Sequence, residues 1–296
     1  MDYLKEIQLK IIDNETYSKV KEYSKEIKKV KTYYEIGKLL YEAGNKYGDS
    51  IIKNYSEKLT IQFGNNYSYR NLVSIRKYYC VFKNEKVNAL RSLLTWTHYR
   101  ELIRIDNEDE IIYYINLSLQ FNLSSRKLIE RIKSNEYERL DEKTKLKLIN
   151  NEQPKVKDLI KNPILIKNNS NYEIVSEKAL QKLILEDIPS FLKELGTGFT
   201  FIENEYKIKL GNTYNYIDLL LFNYEYNCFI VVELKVTPLK KEHIGQIEIY
   251  MNHIDNHLKN INHDKTIGLI VCKQDNEYII RYSTDERIIA KEYELV

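Results

Sequence analysis

Residues 217–235 read IDLLLFNYEYNCFIVVELK. Two short apolar runs, 217–222 and 228–236, flank the polar turn 223–227, which is the pattern of strand, turn and strand. Asp218, Glu233 and Lys235 interrupt the runs. Side chains alternate faces along a strand, so Glu233 and Lys235 share one face, and Val232, Leu234 and Val236 take the other. If the turn sets Asn223 opposite Cys228, the register carries Asp218 directly opposite Glu233, with Cβ atoms about 5 Å apart, and leaves Lys235 on the diagonal at about 7–8 Å. Two ionised carboxylates that close repel by about 4 kcal/mol at an effective dielectric of ~20. A divalent cation between them removes the conflict, and Mg²⁺ suits a site of one or two carboxylates whose other positions go to water and phosphate. Such an ion makes bound water more acidic and neutralises charge on phosphorus. Lys235 can orient the water or stabilise developing negative charge, a constellation for phosphodiester hydrolysis. The competing reading of the same spacing is a half-buried ion pair of Lys235 with Glu233 or Asp218 that satisfies only itself.

An Asp on one strand, Glu-x-Lys on the next and a following helix with Gln246 and Tyr250 (IGQIEIYMNHID) resembles the PD-(D/E)XK nuclease superfamily, with Ile217 where Pro is usual. More closely, the chain resembles the bacterial YhcG-type family, which joins such a nuclease domain to a helical N-terminal domain. ELGTGFTFIENEY, YIDLLLF, VVELK, GQIEIYMN and TIGLIVCK follow the C-terminal pattern of that family in order, and YYEIGKLL, FGNNYSYRNLVSIRKYY and LTWTHYRELIRI follow its N-terminal one. The resemblance covers the chain from about Tyr33 onward. It implies Asp218, Glu233 and Leu234 as metal ligands, catalytic roles for Asp218, Glu233, Lys235 and Gln246, and a Tyr250 set to contact a phosphate. It also implies a carboxylate from the first helix of the nuclease domain. Gln181 stands where that Glu is expected, with Glu177 one turn earlier, so Glu177 substitutes, Gln181 holds a water, or the site is weakened.

Length and composition set the frame. The 296 residues suffice for two cores, and 43% hydrophobic with 30% charged residues fits a globular protein. The 26 Tyr, with abundant Lys, Asn and Ile, track A/T-rich codons and carry little functional weight. Net charge is +3, but residues 1–150 hold 28 Lys+Arg against 21 Asp+Glu, and the remainder 18 against 22. This asymmetry suits a first half that grips phosphates and a second that holds a cation. Cys80, Cys228 and Cys272 are far apart without a Cys-x-x-Cys pair, so reduced core residues are expected, not disulfides or a zinc site. No apolar run approaches the roughly 18 residues of a membrane span, and MDYLKEIQLKIIDNE is too charged for a signal peptide. The expectation is a cytoplasmic protein without membrane partners.

In the amino-terminal half, 3–43 reads as helix broken near 13–16, with Ile27, Val30, Tyr34, Leu39 and Leu40 apolar. Residues 50–63 and 68–82 form two further helices across the turn Gly64-Asn65-Asn66. Ser68 is the expected N-cap, and Leu72, Ile75 and Tyr79 the buried face. This pair has helix-turn-helix form. Arg70, Arg76 and Lys77, with Tyr69 and Tyr78, make its candidate nucleic-acid face, inside a stretch (53–104) with ten Lys+Arg and three Asp+Glu. Trp96 is expected in the core and His98 satisfied by a helix cap. Helices are also expected at 108–120 and, capped by Ser124 or Ser125, at 126–135.

Residues 141–173, with Pro154, Pro163 and an Asn-rich run, read as the linker between a helical domain at 1–140 and a nuclease domain at 174–296. An amphipathic helix kinked at Pro189 spans 177–195. Strands follow at 199–210 and 214–222, and then the Glu-x-Lys strand. A helix at 240–258 packs through Ile244, Ile247, Met251, Ile254 and Leu258, and the strand 266–272 crosses back parallel to 228–236. Edge strands are expected at 278–282 and 288–295. His253 and His257 have metal-ligand spacing but no third ligand. The reading is therefore an α+β two-domain protein with an all-helical N-terminal domain of helix-turn-helix character and a restriction-endonuclease-like α/β C-terminal domain with a mixed central sheet. It is expected to be a nuclease using Mg²⁺, or Mn²⁺ in its place, on nucleic acid, DNA being the expected substrate. The alternative is a nucleic-acid-binding scaffold with an inactive nuclease fold. Cutting both strands from one site per chain would favour a homodimer.

Overall fold

The structure is a computed structural model and describes residues 2–18, 25–48, 50–169, 176–275, 279 and 285–296. The chain divides into two compact units, Met1–Tyr137 with Lys147–Glu152, and Glu138–Leu146 with Gln153–Val296. Among the described residues no helix is long and apolar enough to cross a membrane.

The first unit is helical: α1 (Tyr3–Ser18), α2 (Lys25–Tyr47), α3 (Ser50–Phe63), α4 (Tyr69–Phe82), the single turn α5 (Glu85–Asn88), α6 (Trp96–Leu102), α7 (Glu108–Gln120) and α8 (Ser125–Lys133). The first helix runs through 13–16 unbroken. Ile7, Ile11, Ile36, Leu40, Leu59, Leu72 and Ile75, spaced at helical intervals, meet in one core. Gly37 allows α2 and α4 to cross closely. A Cβ there would lie 2.5 Å from the Ile75 carbonyl oxygen and 2.8 Å from Tyr79 Cβ, so α2 and α4 touch backbone to backbone only because the side chain is missing.

Ser68 caps α4 by position, without a side-chain hydrogen bond. Ser124 caps α8 by accepting from the Lys127 N–H. Ile27 is 44% exposed, outside the core face it was expected to join. Tyr78 is fully buried, ringed by Trp96, Tyr99 and Phe82 at 5.0–5.5 Å, which removes it from the expected nucleic-acid face. Thr95 Oγ1 and the Leu123 carbonyl satisfy both nitrogens of the buried His98, at 2.7 and 3.0 Å.

α9 (Glu142–Ile149) follows, and the second unit then carries β1 (Ile164–Ile166), α10 (Glu177–Glu186), α11 (Ile188–Leu195), β2 (Phe199–Leu210), β3 (Thr213–Asn223), β4 (Cys228–Pro238), α12 (Lys241–His257), β5 (Ile267–Gln274) and β6 (Ile288–Leu295). The six strands make one mixed sheet in the order β1-β6-β5-β4-β3-β2, with β2-β3 and β3-β4 antiparallel and the remaining pairs parallel. Strand alternation sends Ile230, Val232 and Leu234 into a core with α10 and α11. Phe229 and Val231 go into a second core with Ile247, Met251 and Ile254 of α12. Buried on both faces, β4 is the sheet's centre, as its continuous apolar run requires.

Three details depart from the sequence reading. The helix over 177–195 is two helices, because Asp187 leaves helical geometry and caps the second by accepting from the Ser190 N–H. Residues 141–173, read as a linker, hold α9, a 3-10 turn at Val156–Leu159 and β1, whose pairing with β6 moves β6 off the sheet edge. Three apolar residues beside Pro163 are too short a run to announce a strand. The expected edge strand at 278–282 lies, apart from Ile279, outside the described residues.

Candidate active site

The hairpin of β3 and β4 has Asn223 opposite Cys228, and the ladder runs inward to Leu219 opposite Val232. One step further on this register Asp218 faces Glu233, and there the backbone ladder stops. Asp218 Oδ2 accepts the Leu234 N–H at 2.7 Å, so a side chain takes the place of a strand carbonyl. An extended residue points its N–H and C=O to the same side, so the Leu234 carbonyl also faces Asp218. Two further features lie beside Asp218. Glu205 on β2, in the register position facing Asp218, has φ +50°. Gln181 on α10 donates from Nε2 to the Asp218 carbonyl oxygen at 3.0 Å.

Glu233 is 2% exposed. Its Oε2 accepts from Lys235 Nζ at 3.2 Å, whereas Oε1 is buried with no hydrogen-bond partner. Burial and, after it, the charge of Asp218 push the Glu233 carboxyl up to about 8, against the opposing pull of Lys235. Burial also raises Asp218 above its ordinary value, with the Leu234 N–H and Lys235 pulling the other way. Burial alone would lower Lys235, but Glu233 and Glu177 outweigh it and raise its pKa, so the ammonium stays protonated at neutral pH. Glu177, in the first turn of α10, lies 3.6 Å from Lys235 Nζ and is half exposed. Gln246 donates to the Tyr250 hydroxyl at 3.0 Å, and Tyr250 is 5% exposed, so its ring offers no open face to a polynucleotide.

Of the candidate residues, Asp218, Glu233, Leu234, Lys235 and Glu177 therefore meet at the middle of β4, just past its last pair with β3, with Gln246 and Tyr250 alongside. Arg70, Arg76 and Lys77 belong to the first unit, where Arg70 and Lys77 are exposed on α4 and Arg76 is half-buried. The sequence reading missed two groups. Glu205 raises Asp218 by its charge. His243, in the first turn of α12, accepts from the Lys240 N–H at 3.1 Å, and its pKa is lowered by burial and then by Lys235 and Lys240. Only the fold of β2 against β3 brings Glu205 near. His243 had a readable signal, a polar residue at the start of the helix that follows Glu-x-Lys.

Among the described residues no group of three or more His, Cys, Asp or Glu side chains is arranged to hold a metal ion. The donors gathered at the middle of β4 are two carboxylates and one carbonyl. They fit a hard divalent cation, because Glu233 Oε1 is a buried oxygen with no donor and the charge of Asp218 disfavours the ionised form of Glu233.

Residues 157–296 match the model of the YhcG PDDEXK nuclease domain, and residues 9–139 that of the DUF1016 N-terminal domain. The two matches follow each other along the chain and together take in most of it. The chain is 22% identical over 309 aligned positions to the Escherichia coli (strain K12) protein named "Putative nuclease YhcG", covering 89% of this chain and 82% of that one. Weaker similarity links it to two solved structures. One is a repair endonuclease from Pyrococcus abyssi (TM-score 0.29, 18% identity, 43% of this chain and 49% of that chain). The other is an EndoMS complex with double-stranded DNA (TM-score 0.30, 20% identity, 44% and 48%). The chain spans about half the length of each. The match to the PDDEXK nuclease domain takes in all six strands of the sheet, and the match to the N-terminal domain takes in most of the helical region that precedes it in sequence.

Proposed function

We propose that the second unit hydrolyses phosphodiester bonds of nucleic acid, DNA in the first instance, with Mg²⁺ or Mn²⁺, and that the helical unit binds the substrate. The observation that carries this reading is the buried Glu233 oxygen without a donor, set beside Asp218. A carboxyl in that state takes up either a proton or a cation. Asp218, Glu233 and the Leu234 carbonyl would hold the ion. When bound, it supplies the charge that offsets the phosphate and makes water a better nucleophile. Lys235, kept protonated by Glu233 and Glu177, cannot serve as a general base at neutral pH; it orients the water and stabilises negative charge that develops on the phosphate oxygens. Gln181 and the Asp218–Leu234 bond hold Asp218 in place, and Gln246 holds the Tyr250 hydroxyl beside them. In the first unit, Arg70 and Lys77 lie seven residues apart on α4, hence on one flank, where they can meet phosphates.

One observation favours the inactive scaffold instead. The α10 position expected to supply a carboxylate is Gln181, and its amide is committed to a backbone carbonyl. Cleavage of labelled DNA with EDTA, Mg²⁺ or Mn²⁺ separates the readings. Metal-dependent cleavage that falls about 10²–10³-fold in Lys235→Ala supports the nuclease, whereas binding without cleavage in any metal supports the scaffold.

A further inference from the structure

The outer half of the β2–β3 hairpin presents a surface that the carboxylate site does not use. Lys207 pairs directly with Tyr216, and Lys209 with Tyr214, so these four side chains share one face. The intervening Tyr206, Ile208 and Leu210 turn the other way, into the core beneath α12. Tyr214 is 57% and Tyr216 52% exposed. Lys207 Nζ sits 3.9 Å from the Tyr214 ring centroid, which holds a positive charge beside an aromatic face. No acidic residue occurs between Tyr206 and Ile217. Tyr216 precedes Asp218 by two residues on the same strand, about 7 Å of extended chain.

Protection of a sheet edge would explain the lysines, since β2 ends the sheet. It does not explain the tyrosines, which lie on the part of β3 that pairs with β2 beyond the last β3–β4 pair and add exposed apolar surface there. A row of cations on β2 beside a row of aromatic rings on β3 matches the row of phosphates beside the row of bases in a polynucleotide strand. Stacking needs base faces that a duplex keeps covered by neighbouring pairs. We propose that this hairpin face holds an unpaired stretch of nucleic-acid strand next to the Asp218 site, its bases on Tyr214 and Tyr216 and its phosphates on Lys207 and Lys209. The proposal rests on the nuclease reading above and names the form of substrate that the site would accept.

The test is fluorescence anisotropy of the full-length protein in EDTA, with a labelled oligothymidylate and a blunt duplex of equal length. Tyr214→Ala/Tyr216→Ala is expected to weaken single-strand binding at least about fivefold per stacked base, with duplex binding changed less than about twofold. Lys207→Ala/Lys209→Ala is expected to reduce the slope of log affinity against log salt for the single strand by about 1.4. All four side chains are exposed, so circular dichroism and melting should match the wild type. If the wild type binds the single strand and the tyrosine variant binds it equally well, the hairpin proposal fails and the nuclease reading stands. Equal losses on single strand and duplex overturn the assignment to an unpaired strand. If the wild type binds neither probe, both the proposal and the reading beneath it fall.

Discussion

Glu233 makes a thermodynamic prediction that needs no substrate. Its carboxyl is pushed from an ordinary value of 4.5 up to about 8 in the folded chain. Between those two pH values the unfolded chain has released the proton while the folded chain still holds it. Stability contributed by the protonated form is fully present below about 4.5 and is lost as pH rises through about 8. At ~1.4 kcal/mol per pH unit, the full difference is about 5 kcal/mol, an upper bound because Asp218 and Lys235 titrate with it. In a unit of this size that corresponds to on the order of 10 °C in melting temperature. Glu233→Gln mimics the protonated form, so in EDTA it should match the wild type near pH 4.5 and melt clearly higher near pH 8. Mg²⁺ should recover part of the wild-type loss at pH 8, about 2.7 kcal/mol at a hundredfold excess over its dissociation constant, and do little for the Gln variant. Superimposable pH dependences of wild type and Glu233→Gln in EDTA would falsify the picture of a buried, proton-holding carboxyl.

Gly37→Ala should destabilise the helical unit by about 1–3 kcal/mol in denaturant unfolding, because its Cβ would meet the Ile75 carbonyl at 2.5 Å. Glu194→Ala should cost the second unit about 3–5 kcal/mol. Glu194 pairs with Arg139 and, at 3.2 Å, with the 2%-exposed Lys161, so its loss removes the carboxylate that these two cations share; an unchanged melt would show that their carbonyl partners, Pro163 and Lys193 among them, suffice. Arg70→Ala/Lys77→Ala should reduce the salt slope of DNA binding by about 2, roughly one per phosphate contact, and lower affinity evenly across sequences. An unchanged slope would move the phosphate contacts elsewhere.

The hairpin was legible because two rules sufficed for it. A polar turn between apolar runs sets the register, and the pleat then decides which residues face each other, so Asp218, Glu233 and Lys235 could be placed together before any coordinates. The helix pair around Gly64 was legible for the same reason, as one period bounded by turn residues. Illegible parts depend on tertiary neighbours. Tyr79 looked like the buried member of α4, yet α6 brings Trp96 and Tyr99 over Tyr78 and buries that ring instead. At Glu205 the left-handed backbone falls on a residue that is not Gly, which no local pattern announces. Gln181 looked like a defective metal ligand. In the fold it donates to the Asp218 backbone, a role visible only once α10 lies against β4.

The hydrogen bond from Leu234 to Asp218 joins stability and chemistry at one atom. Strands normally end when the backbone runs out of partners, but here the β3–β4 ladder ends where a carboxylate takes over as acceptor. The Asp218 charge therefore cannot be removed by truncation without also stranding a buried N–H, which costs about 1–3 kcal/mol. Asp218→Ala should thus lose both stability and cleavage. Asp218→Asn keeps an oxygen for Leu234 and relieves the charge that raises Glu233, so it should keep the fold, bind DNA in EDTA at least as tightly as the wild type, and lose cleavage. Calorimetry beside a cleavage assay checks both variants. If Asp218→Asn cuts like the wild type, the carboxylate is only a strand terminator and the ion must be held by other groups.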